Sequence, residues 1–347
     1  MLVSLDAALT AAGHHSIVIA SESSRVAGTL VSVPISRNRA TKVGRLAAAG
    51  NSQEEGYLEG AAAATRIQWR QAIDSALERW PVDLIHMHGV DFDTYLPPPG
   101  APVLATLHLP IAYYSSAALD PIRPQTWLHC VSSAQHADIG RNAHLLAPIE
   151  NGVDVDSYAL DIERRDVALM LARICPEKGI HLAIEAAKRA DMALLIAGAL
   201  FPYEAHQRYF ETEVLPRLDE HLRYIGPVGR LGKRRLLASA RCVLIASTVA
   251  ETSSLVAREA AAAGTPVVAL ARGALRDTIE PGRTGFLVDT VDEMAVAMTK
   301  ASTIKAALCR DVARRRFALE PMIRGYFAAY GGLIRRRSPS HYRRVAS

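Results

Sequence analysis

Short apolar runs alternate with amphipathic segments along almost the whole chain of 347 residues. The runs have the length of β-strands, and helical periodicity separates nearly all of them. Strands that are joined through helices pair in parallel, so the alternation predicts an α/β fold built on parallel sheets. The predicted strands are residues 16–20, 30–33, 83–87, 103–107, 128–131, 167–172, 193–197, 223–225, 243–246, 267–270 and 286–288.

The chain is too long for one small core, and its length is typical of two domains. Both halves follow the same order of strands and helices. Between them, Pro148 and the pair Asn151-Gly152 are signals of a break in regular structure. We therefore predict a first domain over 1–150 and a second over 151–320. Residues 321–347 are predicted to form a C-terminal helix, which can pack back on the first domain, and a basic tail.

The start of the chain departs from this order. A doubly wound domain opens with a strand that becomes central in its sheet. This sequence instead opens on a predicted helix over 2–12 and then reaches the strand at 16–20. A missing central strand leaves the edges of its two neighbours unpaired, which is costly. Two explanations stay open, namely a true start that lies upstream and a rearranged first domain.

The composition excludes several classes of protein. Half of the residues are hydrophobic and 22% are charged, which is typical of globular proteins. No run of 18 or more apolar residues occurs, so no membrane-spanning helix is expected. The N-terminus lacks the pattern of a secretory signal. The four cysteines lie far apart without metal-ligand spacing, which predicts reduced thiols and a cytoplasmic protein.

The net charge is +5, and much of the excess lies near the C-terminus. A solvated helix face with a loose tail is the simpler interpretation. The alternative is peripheral contact with the inner face of an anionic membrane or with an acidic glycan. Aromatic residues form only 6% of the chain and are not interleaved with the basic cluster, so nucleic acid is not expected as a partner.

The strongest functional signal lies in residues 250–269. This segment follows the predicted strand 243–246, and either Ser253 or Ser254 can cap an alanine-rich helix. Gly264 ends that helix before the next strand begins. The segment is therefore predicted to be a strand–loop–helix–strand unit.

Ligands of such sheets bind beyond the carboxyl ends of the strands, opposite helix N-termini. The first-turn N–H groups near Leu255 and Val256 lack helical partners and suit a diphosphate. Glu259 lies one turn further, about 6 Å along the axis, where its carboxylate can accept hydrogen bonds from ribose hydroxyls. Glu251 lies in the loop, where it can hold hydroxyls of a transferred sugar. Both glutamates could instead be surface residues at a helix N-terminus, but the surrounding unit favours function.

This segment resembles the glutamate–seven residues–glutamate signature of glycosyltransferase family 4, a group of retaining enzymes with the GT-B fold. Residues 149–154, 171–180 and 282–288 are similar to further segments of the family, so the resemblance covers most of residues 83–330. It implies an α/β fold of two Rossmann-like, doubly wound domains that face a central cleft. It also implies a hexosyltransferase that uses a nucleoside-diphosphate sugar as donor and needs no essential cofactor or metal.

Two cations in residues 171–180 match the family's contacts with the donor diphosphate. Arg173 lies at a predicted strand end, and Lys178 follows Pro176 at a helix start, so both are expected at the same crevice as the glutamates. Two cations beside a diphosphate stabilise its charge as it leaves. Without the glutamates, both residues would be interpreted as surface cations.

Three further candidates come from the remaining strand ends. His108 follows strand 103–107 and resembles the position where a histidine lies under the transferred sugar; the alternative is a hydrogen-bonded histidine without function. His88 is predicted to line the acceptor cleft. Val228 is predicted to bring its backbone to the edge of the base. The resemblance thus implies catalytic roles for His108, Glu251, Arg173 and Lys178.

Other motifs are absent or weak. Residues 91–93 and 154–156 read as Asp-x-Asp, the metal motif of a different glycosyltransferase fold, but so short a motif arises often by chance. No Gly-x-Gly-x-x-Gly, Walker or Gly-x-Ser-x-Gly motif is present, so other nucleotide and hydrolase chemistries are poorly supported. Many family members have glycine where this chain has Ser254, whose hydroxyl can contact phosphate or cap the helix.

The sequence therefore predicts a retaining glycosyltransferase of glycan biosynthesis. The donor is a nucleotide sugar, and the acceptor is a glycan, a lipid-linked molecule or a small molecule. One alternative is a nucleotide-sugar epimerase or hydrolase with the same architecture. The other is a catalytically impaired nucleotide-sugar-binding protein, because the missing first strand carries a glycine-rich turn in the family.

Overall fold

The structure is a computed structural model that describes residues 1–34 and 52–337. The predicted basic tail after residue 337 lies outside the described residues. The chain divides into two compact units. One holds the described residues up to Glu150 together with those from Glu320 onward, and the other holds Asn151–Leu319.

The first unit contains five short strands. They are β1 (Ile17–Ser21), β2 (Thr29–Val33), β3 (Ile85–Met87), β4 (Val103–Leu107) and β5 (Thr126–Cys130). β1 and β2 form one parallel pair, and β3, β4 and β5 form a separate parallel sheet in that order. Within the described ranges, β1 and β3 each pair along one edge only. This is the arrangement expected of a doubly wound sheet without its central strand.

Helices cover the first unit, and its core lies against the three-stranded sheet. The helices are α1 (Leu2–Ala11), α2 (Ser52–Arg79), α3 (Ser116–Leu119) and α4 (Ser133–Ile139). Alternate residues of β4, Val103, Ala105 and Leu107, are fully buried in a cluster with Phe92 and Met87. This alternation places successive side chains on opposite faces, so the polar side chain of Thr106 points to the other face.

The second unit contains one sheet of six parallel strands. They are β6 (Val167–Leu171), β7 (Ala193–Ala197), β8 (Leu222–Tyr224), β9 (Cys242–Ile245), β10 (Val267–Leu270) and β11 (Gly285–Val288). Their order across the sheet is β11-β10-β9-β6-β7-β8. This is the doubly wound order, and the direction of winding reverses between β6 and β9. The carboxyl ends of these two strands therefore border the crevice where such sheets bind ligands.

Helices bury both faces of this sheet. They are α5 (Ile180–Arg189), α6 (Glu204–Tyr209), α7 (Arg230–Ser239), α8 (Leu255–Ala263), α9 (Leu275–Thr278), α10 (Val291–Lys300) and α11 (Ala306–Arg316). Met170 of β6 packs in a cluster with α5, α6 and α10, whereas Leu169 packs with α7, α8, α9 and α11. A parallel sheet that is covered on both faces has near-continuous apolar strands, which explains the runs in the sequence.

The last helix, α12 (Leu319–Arg337), packs on the first unit. Its Tyr326 ring lies 5.3 Å from the ring of His129, and its Phe327 ring lies 5.7 Å from His14. The guanidinium of Arg336 lies 4.7 Å above the ring of Trp127. Within the described ranges, none of the helices has the length and apolar character needed to cross a membrane. The predicted α/β architecture with parallel sheets is confirmed, and each predicted strand is present.

Candidate functional site

The loop after β6 brings two cations to the crevice of the second unit. Arg173 lies two residues beyond the end of β6. Pro176–Lys178 form a single turn of 3-10 helix, and Gly179 ends that turn before α5 begins. Pro176 occupies the first turn, where its missing N–H leaves no helical bond unmade. The turn directs Lys178 toward the loop that follows β9.

Glu251 lies in the loop that follows β9, where it forms an ion pair with Lys178. The Lys178 Nζ atom is 2.5 Å from Glu251 Oε1, and the hydroxyl of Ser247 donates to the same oxygen. The side chains of Lys178 and Glu251 are 25% and 12% exposed. Because both charges are largely removed from water, removing one partner would leave the other without compensation.

The start of α8 forms the third side of the crevice. Ser254 precedes the helix, and its Oγ accepts a hydrogen bond from the N–H of Ala257. Ser254 is therefore the N-cap, which decides between the two serines that the sequence left open. The N–H groups of Leu255 and Val256 belong to the first turn, where no carbonyl of the helix precedes them.

Asn151, in the segment that joins the two units, forms hydrogen bonds with α8 and with the loop before it. Arg258 is 2% exposed, and its Nη1 donates to the carbonyl oxygen of Asn151 at 2.7 Å. The side-chain amide of Asn151 in turn donates to the hydroxyl of Ser253 at 3.1 Å. The predicted junction segment thus holds the loop that carries Glu251.

These elements enclose a cavity of about 330 Å³ at the carboxyl ends of β6 and β9. This volume is at the lower end of the range for small-molecule sites. The polar and first-turn residues that line it are Arg173, Lys178, Ser247, Glu251, Ser253, Ser254, Leu255 and Val256. The structure therefore brings together six residues of the predicted donor site: Arg173, Lys178, Glu251, Ser254, Leu255 and Val256.

Two predicted donor residues, Glu259 and Val228, do not line this cavity. Glu259 lies on α8, is 8% exposed, and accepts a hydrogen bond from the Tyr158 hydroxyl at 2.7 Å. Lys233 of α7 lies 2.5 Å from the same oxygen, Oε1. Among the described residues, the other oxygen, Oε2, has no hydrogen-bond partner. Val228 lies between β8 and α7, in the same part of the unit as Lys233.

Sequence reasoning missed Lys233, Tyr158 and Ser247. Lys233 is in the first turn of α7, and Tyr158 is in a short turn of 3-10 helix more than 70 residues earlier in the chain. Their contacts with Glu259 depend on tertiary packing, so no local pattern indicates them. Ser247 lies two residues beyond the end of β9, and a polar residue close to that strand end is the one signal that could have found it.

One group of side chains has the composition of a metal site. Cys175, Glu177 and His206 place their ligand atoms within 4.8 Å of one another. However, burial raises the pKa of the Cys175 thiol to about 11, which favours the neutral form over the thiolate that binds metal. Arg173 also exerts its positive charge on Glu177 and His206. This group is therefore poorly suited to a cation.

The aspartates of the Asp-x-Asp segment at residues 91–93 form hydrogen bonds with neighbouring side chains. Asp91 accepts a hydrogen bond from the Tyr95 hydroxyl at 3.2 Å, and Asp93 accepts one from Ser115 at 2.8 Å. These bonds tie the carboxylates to neighbouring turns of the first unit.

Gly179 is required by the turn that carries Lys178. Its φ is +61°, a left-handed conformation that costs a residue with a side chain about 1–2 kcal/mol. A Cβ here would also lie 2.1 Å from the carbonyl oxygen of Ala246. We expect Gly179→Ala to lower the free energy of unfolding in urea by about 3 kcal/mol. Gly282→Ala is the control, because Gly282 has a φ of +75° and no described neighbour within 4 Å. Gly282→Ala should lower the free energy of unfolding by about 1 kcal/mol. Equal losses in the two variants would show that the contact with the Ala246 carbonyl has no effect on stability.

The first unit places His88 and His108 together. The Nδ1 atom of His88 lies 3.0 Å from Nε2 of His108, and their rings are stacked at 5.3 Å. Burial lowers the pKa of His108 to about 4. His88 has a pKa well below its ordinary value, because of burial and of the neighbouring histidines His108 and His129. Both imidazoles are therefore neutral at pH 7.

The buried histidines predict how stability depends on pH. Burial lowers the pKa of His129 to about 4, whereas in the unfolded chain the pKa is near 6.5. Between these values the unfolded state binds the additional proton, so the free energy of unfolding falls as the pH falls. His129 alone accounts for about 3 kcal/mol between pH 6.5 and pH 4. Urea titrations from pH 7.5 to 4.5 measure this slope.

Two substitutions show whether His129 causes this slope; the first removes His129, and the second is a control at an exposed histidine. His129→Asn should reduce the slope of unfolding free energy against pH by about one proton below pH 6. His221→Asn replaces an exposed histidine, with a side chain 75% exposed, and should leave the slope unchanged. The same slope in His129→Asn and in the unmodified protein would refute the prediction.

Known proteins share both the sequence pattern and the fold. The family model of the group 1 glycosyl transferases matches residues 157–314. The phosphatidyl-myo-inositol mannosyltransferase of Mycobacterium leprae is 27% identical over 279 residues, which are 73% of this chain and 72% of that protein. The Mycobacterium tuberculosis protein of the same name is 36% identical over 183 residues, 49% of this chain and 46% of that protein. The chain thus spans about half the length of the latter.

Solved structures of glycosyltransferases are also similar to this chain. The glycosyltransferase AviGT4 of avilamycin A biosynthesis has a TM-score of 0.63 at 25% identity, over 77% of this chain and 78% of that one. Anabaena HepE, solved in complex with UDP and glucose, has a TM-score of 0.66 at 18% identity, over 92% and 100%. The fold and the matched segments define a glycosyltransferase, as the sequence predicted. Residues 157–314 thus resemble the group 1 glycosyl transferases, and the comparisons together indicate a glycosyltransferase of the GT4 type with the GT-B fold.

Proposed function

We propose that this protein is a retaining glycosyltransferase that moves a hexose from a nucleoside-diphosphate sugar to a hydroxyl group of an acceptor. The observation that carries the proposal is the cavity of the second unit. Two cations, a helix N-terminus and a partly buried carboxylate converge there. A sugar diphosphate has the complementary pattern, with an anionic diphosphate beside a group rich in hydroxyls.

Each residue of the cavity has a role in this proposal. Arg173 and Lys178 bind the diphosphate and neutralise the charge that grows on it as it leaves. The first-turn N–H groups of Leu255 and Val256 complete the contact, with Ser254 at the cap. Glu251 accepts hydrogen bonds from the sugar. Its ion pair with Lys178 supports this role, because one side chain then orients the other.

The nucleoside is assigned to the neighbouring region of α7 and α8. Tyr158 and Lys233 hold one oxygen of Glu259, so the other oxygen can accept hydrogen bonds from the ribose hydroxyls. The backbone of Val228 is assigned to the edge of the base. In the first unit, we assign His108 to the transferred sugar and His88 to the acceptor side, because neutral imidazoles both donate and accept hydrogen bonds.

The reaction needs positioning and electrostatics more than it needs a nucleophile. The acceptor hydroxyl attacks the anomeric carbon from the face that the diphosphate leaves. The bond from carbon to the acceptor oxygen forms, the bond from carbon to the phosphate oxygen breaks, and the hydroxyl proton passes to the departing diphosphate. The anomeric configuration is retained, and the carboxylate pair of a glycoside hydrolase is not required.

The relatives support this choice of substrates. The HepE structure, with UDP and glucose, supports a nucleotide sugar as donor. The names of the mycobacterial relatives support transfer of a hexose such as mannose, and a lipid-linked hydroxyl as acceptor. A lipid acceptor is also consistent with a cytoplasmic protein that makes peripheral contact with the inner face of the membrane.

A panel of donors and acceptors tests the proposal. The protein is incubated with UDP-, GDP- and ADP-hexoses, with and without free polyols, oligosaccharides and vesicles of phosphatidylinositol. One donor should give a glycoside with retained configuration by NMR, and one nucleoside diphosphate should be released for each sugar transferred. Epimerised donor, hydrolysis without transfer, or donor binding without turnover would contradict the proposal.

A further inference from the structure

A continuous chain of hydrogen bonds crosses the first unit from α12 to β5. The Tyr330 hydroxyl lies 2.6 Å from His86 Nδ1, and His86 Nε2 lies 2.6 Å from the hydroxyl of Thr106. The same hydroxyl lies 2.7 Å from His129 Nε2, and His129 Nδ1 lies 3.0 Å from the carbonyl oxygen of Cys130. Thr106 and His129 are fully buried.

The Cys130 carbonyl, at the buried end of this series, determines which group donates in each of the hydrogen bonds. The carbonyl oxygen of Cys130 can only accept, so His129 carries its proton on Nδ1. Since burial keeps His129 neutral, its Nε2 is a lone pair, and the hydroxyl of Thr106 donates to it. Thr106 then accepts from His86 Nε2–H. Burial and the neighbouring histidines keep His86 neutral as well, so its Nδ1 accepts from the Tyr330 hydroxyl.

His86, an inner member of this series of hydrogen bonds, packs against the histidine pair that the proposed function uses. The ring of His86 lies 3.9 Å from the ring of His88, and His88 is hydrogen-bonded to His108. His86 uses its one N–H on Thr106 and its one lone pair on Tyr330. It therefore gains a proton only by breaking the bond from Tyr330.

We propose that Tyr330, Thr106 and His129 are positioning residues that hold His86 as a neutral imidazole, so that the ring packed against the His88–His108 pair carries no charge and keeps that pair in place. The proposal rests on the proposed function, in which His108 contacts the transferred sugar. Positive charge develops on that sugar in the transition state of glycosyl transfer. A cationic imidazole in the stack would repel this charge, whereas a neutral one does not.

The first test reads the tautomers directly and needs no substrate. In protein labelled with ¹⁵N-histidine, NMR at pH 7 should show His86 with its proton on Nε2 and His129 with its proton on Nδ1. His86→Gln and His129→Gln provide the assignments. The opposite tautomer at either residue, or a protonated ring, overturns the chain whether or not the protein transfers sugar.

The second test measures the effect on turnover. Tyr330→Phe removes the donor to His86 and should lower kcat about tenfold, with the KM for the donor unchanged within twofold. Tyr95→Phe is the matched control, because Tyr95 is a buried tyrosine of the same unit that donates to Asp91. Its kcat should stay within twofold of the unmodified protein. Equal effects of the two substitutions overturn the positioning role.

Thr106 gives an independent variant. Thr106→Val removes the hydroxyl that serves both histidines and should lower kcat at least as much as Tyr330→Phe, whereas Thr106→Ser should restore it. Failure of serine to rescue overturns the proposal. If the unmodified protein shows the expected tautomers but transfers no sugar, the proposed function fails and the link to catalysis fails with it, while the hydrogen-bond chain is established.

Discussion

Replacing Lys178 by alanine is expected to lower kcat/KM for glycosyl transfer by about 10²- to 10³-fold. The substitution removes a cation that stabilises the departing diphosphate. It also leaves the Glu251 carboxylate, which is 12% exposed, with Ser247 as its remaining side-chain partner in the described structure. An uncompensated charge of this kind is costly, so nucleotide binding should weaken as well. Initial rates and isothermal titration with the nucleoside diphosphate measure the two effects.

The matched control is Lys188→Ala, an exposed lysine in the last turn of α5. It has the same change in net charge and should leave both kcat/KM and nucleotide affinity within twofold. The assignment of the diphosphate to this cavity is wrong if Lys178→Ala binds the nucleoside diphosphate as tightly as the unmodified protein does.

Replacing Glu259 by alanine is expected to weaken binding of the nucleoside diphosphate by about 10- to 100-fold, equivalent to about 1.4–2.8 kcal/mol. In the unmodified protein, Tyr158 and Lys233 hold one carboxylate oxygen of Glu259. The second oxygen is then presented to the ribose, so the effect should depend on the ribose hydroxyls. Tyr158→Phe loosens the carboxylate without removing it and should cause a smaller loss, about threefold.

A double cycle with dideoxyribose nucleotide separates recognition from folding. If Glu259 binds the ribose, the dideoxy nucleotide binds the unmodified protein weakly and loses little further affinity with Glu259→Ala. If Glu259→Ala lowers the affinity for the ribose and dideoxyribose nucleotides equally, Glu259 does not bind the ribose hydroxyls. It would then act only through the structure of α8.

The sequence predicts most of the second unit for a physical reason. Its strands are buried on both faces, so β7 (Ala193–Ala197) and β10 (Val267–Leu270) are uninterrupted apolar runs with sharp ends. The loop, cap and helix around Glu251 are also local, since a serine cap and a glycine stop lie within one segment. The Lys178–Glu251 contact follows from these features once the two strand ends are taken as neighbours.

The parts that the sequence could not predict depend on register and packing. His129 lies opposite Thr106 because β4 and β5 pair in one particular register, and a shift by one residue would separate them. Tyr330 reaches His86 only because α12 returns to the first unit. Likewise, Lys233 and Tyr158 come to Glu259 from other elements, and no spacing along the chain encodes those distances.

The return of α12 has a consequence for biosynthesis. The first unit is assembled from two stretches of chain, and the stretch that contains α12 is made only after the whole of Asn151–Leu319. Domains fold as units while the ribosome adds residues one by one. The second unit can therefore reach its native structure first, whereas the histidines of the first unit must wait, without Tyr330, until translation reaches the final helix.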